Sequence, residues 1–485
     1  RPGVCCAHHH RAIGGLLMHE NDHPRWAPPR AALILVALVA VAVPLLAASA
    51  AAAAPGATIW SRQFSTGAKA DAFADLARGP GGVYYCTGIA RGTEESSVLV
   101  LVKYKSDGKR LWSRFYQPPS GTGAAGVALA VDKQGDVIVA GTAGVAPPAS
   151  SKGRDIVVLK YSPGGARMWA LRYDGAAHRD DYATGLALDR SGTAFVCGEA
   201  RGASTGQDYL VLAVTPAGTR KWTWIYDGHQ SRDVAAGVAV DGGGNCYVTG
   251  SSVGAGGTTA AATAKLGRDG AHVWLKRLQY GEEGHSWATA LRFRNVGGHR
   301  RLFLTGTSVG LMSTRNNMLI ASVDAGTGAK LHTAIVDGEG GDDAGQALVV
   351  DSSGNAFACG STEGVPSHVL HAFAARMDAG GALAWSKPIW LGPDDNAADF
   401  QAIALDAAGD VVCGGYGDQP GKGAEWWVQS FYPTDGERWT NISSGSAYAD
   451  DICRAVIADS SGVCAAGQIT RTGTGIDGQL KKIEP

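Results

Sequence analysis

Residues Ala235–Ser252 read AAGVAVDGGGNCYVTGSS, a strand, a tight turn and a second strand in one breath. The turn is the phrase Asp-x-x-Gly beginning at Asp241. Its aspartate can bond its own backbone and its glycine can take positive φ, so the stretch predicts an antiparallel hairpin. Near-copies stand at Ala183–Ala200 (ATGLALDRSGTAFVCGEA) and Gly345–Thr362 (GQALVVDSSGNAFACGST). A hairpin written this often makes the repeat period the first quantity to establish.

Tryptophan supplies the ruler. Trp60, Trp112, Trp169, Trp222, Trp274, Trp385 and Trp439 occupy similar phrases such as RLWSRFY, RMWALRY and RKWTWIY, and His332 takes the slot in KLHTAIV. Successive separations are 52, 57, 53, 52, 58, 53 and 54 residues, which gives eight units. One unit holds four strand-like runs, as in MWALRY (168–173), DYATGLALD (181–189), TAFVCGEA (193–200) and DYLVLAV (208–214). Four antiparallel strands per unit describe a β-propeller blade, whereas solenoid coils usually run to about 20–30 residues. The chain ends agree with a ring. The repeats open on the Trp-type strand ATIWSRQF (57–64) and end on GQLKKIEP, the run that precedes a Trp-type strand elsewhere. An open array would leave an unpaired, aggregation-prone edge. The expectation is an all-β, eight-bladed β-propeller of four-stranded antiparallel blades, one domain over 57–485, its ring closed by the N-terminal strand completing the last blade.

The composition fits. The 485 residues include 69 glycines, against about 34 at the average frequency of roughly 7%. Charged residues make up only 18% and the net charge is −1, so nothing global favours nucleic acid or an anionic membrane. Ahead of the repeats, residues 1–17 read as an upstream extension preceding a start at Met18. Residues 18–53 then give a basic region (Arg25, Arg30), the apolar run AALILVALVAVAVPLL and the small-residue stretch AASAAAAAPGA. That order is a secretory signal peptide, and the apolar run is shorter than the roughly 20 residues of a spanning helix. The expectation is a secreted or cell-surface monomer with no membrane span after cleavage. Cys5, Cys6 and His8–His10 precede the signal and lack zinc-ligand spacing. Cys86, Cys197, Cys246, Cys359, Cys413, Cys453 and Cys464 read as mostly core thiols, with a chance disulfide pair left open.

The phrases VDGGGNCYVTGSS (Val240–Ser252) and RDIVVLKYSPGGARMWALRY (Arg154–Tyr173) resemble the bacterial β-propeller repeat called the SBBP repeat. The likeness runs over the whole of 57–485. It departs in the fifth unit, ALRFRNVGGHRRLFLTGTS (Ala290–Ser308), which reads as a basic insertion in place of the turn, and in the eighth, VIADSSGVCAAGQ (Val456–Gln468). The resemblance implies an exported bacterial propeller and supplies no catalytic residues.

Candidate chemistry is sparse. Asp181, Asp233, Asp343 and Asp451 recur just before the second strand of their units. They offer two readings: a carboxylate collar at the channel mouth able to hold a hard cation, or caps on their own loops. The turn aspartates Asp132, Asp189, Asp241, Asp351, Asp406 and Asp459 lack the alternating pattern of calcium loops and read as turn formers. The repeated tryptophans suit packing between blades. The adjacent pair Trp426 and Trp427 must point to opposite faces, so one of them is the candidate exposed aromatic contact. No nucleophile elbow, zinc-protease helix or phosphate loop occurs, and no cofactor is expected. The reading is a non-catalytic binding scaffold for an extracellular protein or glycan. A propeller enzyme working at the channel mouth, quinone-dependent for instance, is the alternative.

Overall fold

A computed structural model describes residues 53–485 except 68–69, 91–96, 120–122, 145–152, 281–283, 310–314, 366, 391–396, 420–422 and 448. The upstream extension, the signal-type segment as far as residue 52, and Cys5 and Cys6 lie outside the described residues. The described residues form 32 strands, β1 to β32 in order, and one 3-10 turn at Pro80–Gly82. They group into eight four-stranded antiparallel sheets. Seven sheets are consecutive meanders. Their first strands are β2 (Ala72–Gly79), β6 (Ala124–Val131), β10 (Asp181–Leu188), β14 (Asp233–Val240), β18 (Ser286–Val296), β22 (Gly340–Val350) and β26 (Ala398–Leu405). The eighth pairs β30 (Ile452–Asp459), β31 (Gly462–Arg471) and β32 (Gly475–Ile483) with β1 (Thr58–Phe64). Each first strand packs against those of the blades before and after it, and the strand of the first blade meets that of the last. The molecule is an eight-bladed β-propeller, and β1 completes the last blade in a register running from Thr58 opposite Ile483 to Phe64 opposite Gly478.

Every first strand carries a one-residue bulge at the same place, for example between Ala235 and Gly237 and between Ala183 and Gly185. The bulge presses a carbonyl of the first strand towards the second at the glycine of the Tyr-Val-Thr-Gly phrase. A Cβ built on Gly250 would collide with the carbonyl oxygen of Val234, and the matching glycine in each of the other seven blades meets the same obstacle. Repetition of that glycine is therefore a packing requirement of the bulged hairpin.

Adjacent blades interlock through tryptophan. The indole N–H of Trp60, Trp112, Trp169, Trp222 and Trp385 donates to a carbonyl in the turn between the third and fourth strands of the next blade, at 2.9 to 3.2 Å. Trp274 and Trp439 are buried in the equivalent position, and Trp439 lies against Gly56 beside the closing strand. The seven cysteines from Cys86 onward are all buried and free, core thiols without a disulfide. In the fifth unit the expected basic insertion replaces the Asp-x-x-Gly turn and takes the form of a longer hairpin. Ser286–Val296 and His299–Val309 extend the ladder and close on Gly297-Gly298, both at positive φ. Two consecutive glycines permit the primed turn that matches strand twist, so the extra residues lengthen strands.

Candidate functional site

The two faces of the ring differ. On one face, called the constant face, all seven turns between third and fourth strands are five residues long, at 105–109, 162–166, 215–219, 267–271, 325–329, 378–382 and 432–436, and the turns between first and second strands have two to five residues. At the other, the ends of second and third strands are separated along the chain by three residues (Arg471 to Gly475) to nine (Gly144 to Arg154). The links from each fourth strand to the next blade reach this second face too. This variable face carries the residues with candidate chemistry.

The turn aspartates lie on the constant face and do what turn formers do. Asp241 Oδ1 accepts the N–H groups of Gly243 and Asn245, both at 2.9 Å, and Asp132, Asp189 and Asp406 repeat the arrangement.

On the variable face, Asp181 and Asp233 begin first strands, Asp451 precedes one and Asp343 is the fourth residue of Gly340–Val350, each at a separate junction between blades. All four are at most 1% exposed. Each is tucked under its incoming loop: Asp181 accepts the Gly175 N–H at 2.6 Å, Asp233 that of Gly228 at 2.6 Å, Asp343 that of Gly338 at 3.0 Å, and Asp451 that of Gly445. Asp71 does the same for Thr66 at 2.5 Å, and Ser286 keeps the role with a hydroxyl. Burial pushes the carboxyl of Asp181 up to about 7 and those of Asp343 and Asp451 to about 6, against the stabilising pull of those backbone donors. Asp233 is raised for the same reason.

No two of these four carboxylates share a group of ligand atoms among the described residues. Instead Asp181 gathers with Asp155 and Asp174, and Asp233 with Asp208 and Asp227, each trio having one ligand atom per residue within 4.8 Å of the others. Asp155 and Asp208 open the third strands Arg154–Tyr161 and Gln207–Val214, and Asp174 and Asp227 follow the fourth. Sequence reading missed these partners, although the legible signal was there: Asp at the head of the third strand and Tyr-Asp-Gly after the fourth. The two trios differ in one respect. Arg172 forms an ion pair with Asp155, whereas the register-equivalent residue in the next blade is Ile225.

Trp426 and Trp427 are 0% and 1% exposed, which corrects the expectation of an exposed aromatic. They do face opposite ways, but in a ring both faces of a sheet are covered by neighbouring blades. Trp427 packs on Phe400 at 4.9 Å between ring centres, and the Lys481 ammonium lies 6.0 Å from the Trp426 ring. Within the channel wall, Asp75 is a buried acid that the sequence did not reveal. It accepts the N–H groups of Leu76 at 2.8 Å and of Leu129 in the next blade at 2.7 Å, and burial raises it to about 7.

The class defined by this geometry is the eight-bladed propeller. The chain matches no protein-family model and no curated protein. Among solved structures it is similar to a protein of unknown function from Dyadobacter fermentans, at 12% identity over 88% of this chain and 99% of that one, TM-score 0.41. It is also similar to the β-propeller domain of the Trilobed protease from Pyrococcus furiosus, at 10% identity over 77% and 95%, TM-score 0.42. A chain of a mitotic checkpoint complex is 12% identical over 74% and 87%, TM-score 0.45. At such identities and scores the fold rests on the sheet order itself.

Proposed function

We propose that this protein is an exported, non-catalytic propeller of the SBBP-repeat type that binds an extracellular protein or glycan through its variable face. The observation that carries the reading is the contrast between the faces. Turns of two to five residues close the constant face, while three to nine residues separate consecutive second and third strands at the other. Loops on a rigid scaffold are where binding residues concentrate. Export follows from the signal-type segment of residues 18–53. Two measurements test the two parts separately. Expression of the whole gene, with N-terminal sequencing of the product, is expected to find mature protein outside the cytoplasm beginning close to Ala53; an uncleaved cytoplasmic product overturns export. A glycan and surface-protein binding screen is expected to give hits lost when the 145–153 and 202–206 loops are replaced by three-residue connections. Binding that survives this replacement and is lost on changing the constant face overturns the assignment of face. Turnover with an added quinone and an artificial electron acceptor overturns the non-catalytic reading.

A further inference from the structure

We propose that Asp208, Asp227 and Asp233 form a Ca²⁺ site at the junction of the third and fourth blades. The site goes beyond the partner-binding reading and stands without it. Its three residues come from three segments: the head of the third strand of one blade, the link leaving that blade, and the first residue of the next blade's inner strand. One ligand oxygen from each lies within 4.8 Å of the others. Oxygens bound at about 2.3–2.6 Å to a common Ca²⁺ are spread over that kind of span, and Ca²⁺ takes several carboxylates, with water and carbonyls completing about six to eight ligands.

Hydrogen bonding inside the trio leaves valence for a cation. Asp208 is 5% exposed; its Oδ2 accepts the Thr205 hydroxyl at 2.7 Å, and its Oδ1 is buried with no hydrogen-bond donor. Asp233 is fully buried; its Oδ2 takes the Gly228 N–H, and the Ser252 hydroxyl also bonds its carboxylate, so the donor-free buried oxygen of the trio is Asp208 Oδ1. Asp227 is exposed and accepts the Gln230 N–H through Oδ1 at 2.6 Å, so the trio has an open side. A buried carboxylate oxygen without a donor is costly unless a cation or proton answers it.

The neighbouring trio provides the internal comparison. There the Arg172 guanidinium pairs with Asp155 Oδ2 and His178 approaches Asp174 Oδ2 at 2.9 Å, so a cation already faces the trio although the Oδ1 atoms of both acids lack a donor. Around Asp208, Asp227 and Asp233, Ile225 takes the place of Arg172, and no basic side chain forms an ion pair with any of the three among the described residues. Arg277 donates to the Ser252 hydroxyl at 2.8 Å beside Asp233, and its charge partly offsets the burial of that carboxyl. Burial and mutual repulsion raise the carboxyls of both Asp208 and Asp233. A bound divalent ion would relieve both and tie the 227–232 link to two blades.

The test is calorimetric titration of the full chain, stripped with a chelator, with CaCl₂ at neutral pH, in parallel with thermal melting. Saturable binding in the micromolar to low millimolar range and a rise in Tm are expected. Asp227→Asn changes only an exposed side chain, so it keeps the test informative even where Asp208→Asn fails to fold. Each of these variants is expected to weaken binding by at least about ten-fold, while Asp155→Asn binds as wild type does. Absence of saturable binding up to about 10 mM Ca²⁺, well above the weakest extracellular class of site, overturns the proposal. So does wild-type affinity in Asp227→Asn, or loss of binding in Asp155→Asn alone.

Discussion

The glycine of the Tyr-Val-Thr-Gly phrase shows how one residue type can be legible in sequence while its reason is not. Its recurrence in eight copies is plain, but the cause is a carbonyl pushed forward by a bulge on the paired strand. Gly250→Ala is expected to destabilise the protein by roughly 2–3 kcal/mol, because the obstacle is backbone and cannot rotate away. Chemical denaturation of that variant beside Gly256→Ala, whose Cβ would meet open space but whose φ is positive, separates steric from conformational cost. Equal losses would remove the bulge from the explanation. Trp426 and Trp427 teach the converse. Alternation assigned them opposite faces correctly, and only the presence of a blade on each side buried both. The acids divide the same way. Asp181 and Asp233 were visible as a repeat, but Asp208 and Asp227, separated from Asp233 along the chain, became its neighbours only through the fold.

Among the elements, β1 has the largest consequence for its size. It lies at the start of the repeats and pairs with β32 near the C-terminus, so the last blade is assembled from both ends of the ring. Asn441 adds a side-chain tie, donating to the Gly56 carbonyl at 2.8 Å and the Thr58 hydroxyl at 3.1 Å. Deleting Thr58–Phe64 exposes β32 as an unpaired edge and removes the ladder that closes the ring. The deletion is expected to yield oligomers or aggregates in size-exclusion chromatography and a lower Tm, whereas removing only residues before Ala54 leaves both unchanged. A monomeric deletion variant with unaltered melting would show that closure contributes nothing. In the fifth blade the basic insertion between Arg292 and Arg301 is legible in sequence, and only the fold shows that it lengthens the two strands. Its Gly-Gly pair closes a hairpin whose strands are each 11 residues long.

For the molecule as a whole, the ring buries acids that an isolated hairpin would leave in water. Asp75, Asp181 and Asp399 are each raised from 3.8 to about 7, with burial the first cause. These folded carboxyls retain protons that the unfolded chain has already released. Between the ordinary carboxylate value and about pH 7 the folded state therefore binds more protons, and stability falls as pH rises through that window. In the presence of a chelator, Tm is expected to be higher at about pH 5 than at about pH 8. A Tm that is flat or rises over that range would mean that these groups are ionised in the folded protein.

The sequence by itself determined the eightfold repeat, the four strands of each unit, the closing role of the first strand and the identity of the turns. All of these depend on local alternation, turn chemistry and spacing, which a single chain displays directly. Tertiary structure alone decided which side chains are covered, which acids meet at the junctions and how each blade grips the next. The tryptophan contacts join residues some 50 positions apart and the acid trios span about 25, across surfaces that exist only once neighbouring blades have packed.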